Sequence, residues 1–214
     1  MKPLVIVGAG GHGREAHDIA VAVNEVNPSF ELVGFLDDAL SPGDPAAPHT
    51  ATILGGIDWL ESHAVAFVPA VGSPELRRLI VQRFPHHEVA DLIHPTATIG
   101  SHVSHGPGLI MAAGSRVTHA VTLGQHVHIN VNSTISHDCR VGDFVTITPG
   151  VHLSGSVTLH DEVWMGIGSS AIQGVTVGAR SVVGAGAAII HDVPPDTTTV
   201  GVPGRPAHHR EDTE

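Results

Sequence analysis

The chain has 214 residues, room for one large domain or two modest ones, and an aromatic content of 3% against 25 glycines excludes a core built on rings. A formal net charge of −11, with Lys2 the sole lysine, argues against nucleic acid or an anionic membrane as the main partner. Cys139 is the single cysteine, which fits a reducing compartment, and the apolar run at the N-terminus is too short for a leader or a membrane span, so a cytoplasmic protein is expected.

Leu4 to Val7 reads as a buried strand, and the cluster Gly8-Ala9-Gly10-Gly11-His12-Gly13 follows it. Apolar residues at Ala16, Ile19, Ala20 and Val23 then predict a helix over 14–26. A second strand over 31–36 ends on Asp37 and Asp38, and 41–48 is a Pro/Gly/Ala loop. A third strand over 64–71, a helix over 74–84 with Ser73 as its N-cap, and a short strand over 88–93 complete the first part. This alternation means a small parallel α/β sheet, Rossmann-like in kind. The glycine cluster satisfies GxGxxG between strand and helix, where a dinucleotide phosphate meets a helix N-terminus, with Asp37 as a ribose partner. The α/β part is too short for a full two-halved dinucleotide domain, and a turn that merely packs helix on sheet is the competing reading.

From Ala97 the period becomes six. Sixteen consecutive blocks, ATIGSH to AAIIHD, run to Asp192 without a slip. The third position of each block is apolar except at His105, and the first is always Val, Ser, Ala, Leu or Cys. Two small inward positions in every six are what a narrow stacked solenoid needs, and helical periodicity would not give them. More than the C-terminal half is therefore a parallel β-helix.

The ordered motifs GAGGHG, FLDD, AVGSPELRR, LIHPTATIG leading into the repeat, ISHDCRVGDF within it and VGVPGRPA at its end resemble the NeuD/PglD group of hexapeptide-repeat sugar acyltransferases. The resemblance covers essentially the whole chain. It implies a Rossmann-like nucleotide-sugar domain over 1–92, a left-handed β-helix with eighteen residues per coil over 93–207, and a flexible tail over 208–214. It also implies acetyl-CoA as donor, no metal, and a homotrimer with its sites between subunits.

Acyl transfer needs a base that takes a proton near neutral pH, and the resemblance puts it at His137, with Asp138 as its acidic neighbour. Gly155 lies eighteen residues on, one coil along, where the resemblance gives its N–H the thioester oxyanion. On the acceptor side the resemblance places Gly10, Gly11, His12, Asp37, Asp38 and Asn130 near a nucleotide-linked sugar. Gly166, Ile167 and Gly168 stack one coil from Gly184, Ala185 and Gly186, leaving a corner groove for the pantetheine arm of coenzyme A. Arg205 is the candidate for a CoA phosphate, ahead of Arg180. His119 stacks one coil before His137 with no role that the family requires. Cys139 invites an acyl-cysteine mechanism, but its inward position reads as a core thiol.

The expected activity is N-acetylation of a UDP- or dTDP-linked 4-amino-4,6-dideoxy sugar by direct transfer from acetyl-CoA. Sialic-acid-type sugar O-acetylation is the nearest alternative. A non-catalytic interaction solenoid would need neither the His-Asp pair nor the nucleotide-type turn. A zinc-dependent γ-class carbonic anhydrase is disfavoured, because no two solenoid histidines have that family's spacing of five. The sequence leaves the sugar, the base and N versus O transfer open.

Overall fold

A computed structural model describes residues 1–44 and 51–207. The end of the loop expected over 41–48 and the tail expected over 208–214 lie outside the described residues.

Four parallel strands form the N-terminal sheet in the order β3-β2-β1-β4: β1 Lys2–Val7, β2 Phe30–Leu36, β3 Ile53–Gly55 and β4 Ala66–Pro69. Helix α1 (Gly11–Val26) crosses from β1 to β2, and α2 (Pro74–Arg83) follows β4. Leu4, Ile6, Phe35 and Val68 are buried against Ala16, Ile19 and Ala20 of α1, which is the stripe the periodicity predicts. The Ser73 side chain caps α2 by accepting from the Leu76 N–H at 3.2 Å.

Several boundaries differ from the sequence reading. Helix α1 begins at Gly11 rather than at residue 14, because a Cβ at Gly13 would overlap the Gly8 carbonyl and the glycines let the first turn close on β1. The edge strand β3 and a 3₁₀ turn at Ile57–Ser62 carry too few apolar residues to show periodicity. The strand expected over 88–93 divides in two. Val89 bridges Phe67 of the α/β sheet, whereas β5 (Leu92–Ile93) pairs with Ile110–Met111 and opens the solenoid.

The solenoid is a left-handed β-helix of triangular section. Face 1 stacks β5, Ile110–Met111, His128–Ile129, Thr146–Ile147, Trp164–Met165, Val182–Val183 and Thr198–Val200, and an antiparallel Arg205–Pro206 closes its end. Face 2 stacks six strands from Thr98–Ile99 to Ala188–Ile189, and face 3 five from Ser104–His105 to Thr176–Val177. Every parallel pairing inside the repeat is eighteen residues apart, as in Thr134↔Arg116 and Thr134↔His152. First and third block positions fill one core that includes Val127, Ile129, Ile147, Val163 and Met165. Each buried Val or Ile contributes about 1.5–3 kcal/mol. Ile99 and His105 are exposed third positions, both in the first coil, where no earlier coil covers them.

The sixth residue of the block takes a left-handed backbone in each of the first fifteen blocks, from His102 (φ 58°) to Gly186 (φ 67°). Six of these are glycine; the others, such as Ala120, Asp138, Phe144 and Arg180, hold a conformation that costs an L-residue about 1–2 kcal/mol. Ala120→Gly should therefore raise stability by about 0.5–1 kcal/mol after the entropy of an added glycine is set against the relieved strain. Thermal unfolding of the two proteins checks this, and an unchanged or lower Tm for the variant would count against it.

The α/β sheet sits on the first coils of face 1. Outward-facing Ile110, His128 and Thr146 are buried beneath it, while Trp164 and Val182 farther along the same face are more than a third exposed. The corner between faces 2 and 3 is the vertex opposite face 1, so it points away from the α/β domain.

Candidate active site

His137 and Asp138 follow the face 2 strand Thr134–Ile135 and occupy that far corner. Asp138 takes the left-handed turn position, with φ 60°, which swings its carboxylate back to His137 Nδ1 at 2.8 Å. A carboxylate can only accept, so Nδ1 carries the hydrogen and Nε2 keeps its lone pair, the tautomer a general base requires. Both side chains are more than half exposed, so the pair orients the ring and adds little stability.

Gly155 is buried one coil on. A Cβ there would overlap the His137 ring, standing 2.7 Å from Nε2. The glycine thus leaves space for the imidazole, and its N–H has no acceptor among the described residues. On the other side of His137, His119 Nδ1 pairs with Ser101 Oγ at 2.9 Å. Cys139 is wholly buried, its thiol donates to the Ser154 carbonyl, and burial pushes its pKa up, so it is a core residue and a poor nucleophile.

The corner between faces 1 and 2 carries the second constellation. Thr148, Pro149, Gly166, Ile167, Gly184 and Ala185 line a groove of about 450 Å³, bordered by Trp164 and Val182. A Cβ at Gly166 would stand 2.5 Å from the Val183 carbonyl oxygen and 2.8 Å from the Ala185 N, so the glycine lets the next coil stack closely on this corner. Gly168 and Gly186 are not in the lining. They hold the left-handed turn position common to the corners, at φ 66° and 67°. Arg205 lies on the terminal antiparallel strand, exposed and outside the groove, and Arg180 forms a two-pronged pair with Asp196. Trp164 has no counterpart among the sequence-derived candidates.

At the C-terminal ends of β1, β2 and β4, a cleft of about 250 Å³ is lined by Gly8, Asp37, Asp38, Ile57, Val71 and Leu76, among others. Such ends, beside a helix N-terminus, are where open α/β sheets take ligands. Asp37 accepts from the N–H groups of Ala9 and Ala39 (2.9 and 3.0 Å), and Asp38 from that of Ile57 (2.8 Å), so both carboxylates pin the loops around the cleft. Gly10 and Gly11 open α1 with nothing within 4 Å of an added Cβ, which leaves their face clear for a ligand.

His12 and Asn130 are placed elsewhere, in the seam between the domains. His12 Nε2 meets His128 Nδ1 at 2.9 Å and its Nδ1 lies 3.5 Å from Glu15, which also faces Asn130. Burial lowers the pKa of His12, against the opposing pull of Glu15. His128 is held well below the ordinary histidine value, by burial first and then by Arg77. His126 stacks on Phe144, and burial followed by Arg77 lowers its pKa to about 4. Arg77 itself is fully buried, and burial pulls it down to about 9, so it stays charged at neutral pH. The quoted motif SPELRR contains Arg77, but nothing in it distinguishes a buried arginine from a solvated one.

Residues 3–84 match the family described as the PglD N-terminal domain. Over its full length the chain superposes on the acetyltransferase domain of PglB from Neisseria gonorrhoeae, solved with acetyl coenzyme A. The TM-score is 0.87 at 33% identity, with 96% of this chain and 99% of that one covered. The chain belongs to the PglD-type hexapeptide sugar acetyltransferases. A further similar structure is PerB from Caulobacter crescentus in complex with CoA and GDP-perosamine, at TM-score 0.86, 26% identity and coverage of 97% and 98%. A stretch of 115 residues, 53% of the chain, is similar to serine acetyltransferase of Bacillus subtilis at 32% identity. The chain spans about half the length of that curated relative, 46% of it. The relatives are thus acetyltransferases, and solved members hold acetyl-CoA or CoA. Among the described residues, no helix is long and apolar enough to cross a membrane, and no three His, Cys, Asp or Glu side chains group as a metal site.

Proposed function

We propose that the protein transfers an acetyl group from acetyl-CoA to the 4-amino group of a UDP- or dTDP-linked 4-amino-4,6-dideoxy sugar, with His137 as general base. The observation that carries this is the His137 ring, fixed by Asp138 with Nε2 free and Gly155 beside it. The pantetheine arm lies along the Ile167/Ala185 groove, and the nucleotide occupies the cleft at Gly8 and Asp38 with its diphosphate toward the first turn of α1.

His137 Nε2 takes the proton that the sugar nitrogen loses as its lone pair forms the new bond to the thioester carbon. The Gly155 N–H holds the resulting oxyanion. Collapse breaks the C–S bond, and the proton on His137 passes to the leaving thiolate, giving the amide and free CoA.

The site spans subunits. In one chain the nucleotide cleft lies within the α/β domain, which packs on face 1, and His137 is on the opposite vertex of the solenoid. The groove occupies a third position, one face away from His137. A closed ring of copies brings the cleft and groove of one protomer to the His137 corner of the next, and a homotrimer is the expected assembly.

Co-expression of two inactive variants tests this reading. His137→Ala removes the base. Gly11→Asp adds a carboxylate at the helix N-terminus, in open space where the fold tolerates it, to repel the diphosphate. With random assembly of equal amounts, about a quarter of all sites, roughly one in each mixed trimer, combine an intact cleft with an intact His137. Recovery of activity toward that level supports a shared site, and no recovery in verified mixed trimers overturns it. CoA release is followed with UDP-, dTDP- and GDP-linked amino sugars, the last because PerB holds GDP-perosamine. Turnover of free sialic acid alone would overturn the choice of acceptor.

A further inference from the structure

The two arginines at the centre of α2 lie along one column of the solenoid. Arg77, fully buried, donates from Nε to the His126 carbonyl at 3.0 Å and from Nη2 to the Phe144 carbonyl at 2.6 Å. His126 and Phe144 are the left-handed corner residues of successive coils. Arg78 reaches the next coil and pairs with Glu162 at 3.0 Å.

The same Arg77 guanidinium donates from Nη1 to the carbonyls of Val71 (2.9 Å) and Gly72 (3.4 Å), in the loop between β4 and α2. Thr146, on face 1, completes the link. Its hydroxyl accepts from Arg77 Nη2 at 3.0 Å and donates to the Gly72 carbonyl at 2.9 Å. Among the described residues no carboxylate lies at hydrogen-bond distance of Arg77, and its charge is met by a fan of backbone carbonyls. A lysine, with three donors on one nitrogen, cannot span two coils and a loop at once. Val71 and Leu76, on either side of this anchor, are walls of the nucleotide cleft.

We infer that Arg77, through Thr146, is a positioning residue for the acceptor: it holds the cleft wall at Val71 and Gly72 rigid against the solenoid, so that the nucleotide binds a preorganised site. This rests on the reading of that cleft as the nucleotide site. With the anchor loosened, the loop must be ordered by the ligand, and affinity falls by that cost. The donor groove has no member of this network in its lining, so acetyl-CoA binding is untouched.

Thr146→Val keeps the shape and removes the hydroxyl, whereas Thr146→Ser restores it. Calorimetric titration with UDP, dTDP and GDP is expected to show, for whichever binds the unaltered protein, a Kd about three- to tenfold higher in Thr146→Val, the size of one lost hydrogen bond. Thr146→Ser should return to within about twofold, and the acetyl-CoA Kd should hold in both variants. Arg77→Lys should weaken nucleotide binding further, and if it fails to fold the Thr146 pair decides. Equal nucleotide affinity in Thr146→Val and the unaltered protein overturns the inference, as does an equal loss of acetyl-CoA affinity. Failure of all three nucleotides to bind the unaltered protein overturns the cleft reading itself, and the anchor role falls with it.

Discussion

Alanine at position 137 is expected to lower kcat by about 10²–10⁴-fold, the range by which a positioned general base accelerates proton transfer. The fold should survive, because the side chain is more than half exposed and its hydrogen-bond partner Asp138 is similarly solvated. Affinity for acetyl-CoA should change little, since the proposed site holds the pantetheine arm along the Ile167/Ala185 groove and His137 meets only the reacting end. Gly155→Ala should be impaired for a different reason. Its added methyl overlaps the His137 ring and drives the imidazole off the Asp138 carboxylate, while the backbone N–H remains. A folded His137→Ala protein with full kcat would remove the residue from the mechanism. A Gly155→Ala protein with full kcat would show that the ring has room to spare.

The solenoid was readable because its signal is redundant. Sixteen blocks repeat one rule, and a single exception such as His105 does not disturb the register. The same ruler sets Gly155 against His137, since stacking converts a separation of eighteen residues into contact. Its reach ended at the corners. Gly168 and Gly186 read as groove residues, yet the sixth position of the first fifteen blocks is left-handed, and Phe144 and Arg180 adopt that turn without being glycine. Groove and turn glycines have the same spacing, so periodicity cannot separate them.

The seam was not legible for a different reason. His128 and Thr146 stand at outward positions of the repeat, which elsewhere carry solvated residues such as Arg116, Arg140 and His152. They are buried by a domain distant in sequence, and nothing local records that. Helix α2 is the sharper case, because Leu76 and Leu79 are about half exposed while Arg77 between them is fully buried. An apolar pattern would turn the helix the other way. Ile80, one turn on, packs into the hydrocarbon core with Val7, Leu36 and Phe67, but at Arg77 the same face meets a column of carbonyl oxygens, which only a donor such as guanidinium satisfies. Asp37 shows the same limit at the cleft. The motif suggests a ligand contact, and the carboxylate, which lines the cleft, also accepts from the Ala9 and Ala39 N–H groups, a structural duty the motif does not announce.

This buried seam makes the protein acid-sensitive in a window of its own. His126 has a folded pKa of about 4 against an unfolded value of 6.5, because burial and then Arg77 disfavour the charged ring, with Asp143 and Asp91 opposing. His128 is lowered as well, by burial, Arg77, His12 and His126, and among the described residues its Nε2 has no hydrogen-bond partner. Between these values the unfolded chain binds more protons than the folded one, so stability falls as pH drops below 6.5 and levels off near 4 for His126. For His126 alone the gap is worth about 3 kcal/mol, and the part lost between pH 6.5 and 5 precedes the range in which ordinary carboxylates begin to protonate. Urea midpoints at pH 7 and pH 5 should therefore differ clearly in the unaltered protein. The drop should shrink in His126→Phe, which keeps the stack on Phe144 and cannot titrate. Equal pH dependence in the two proteins would mean that the acid sensitivity arises outside the seam.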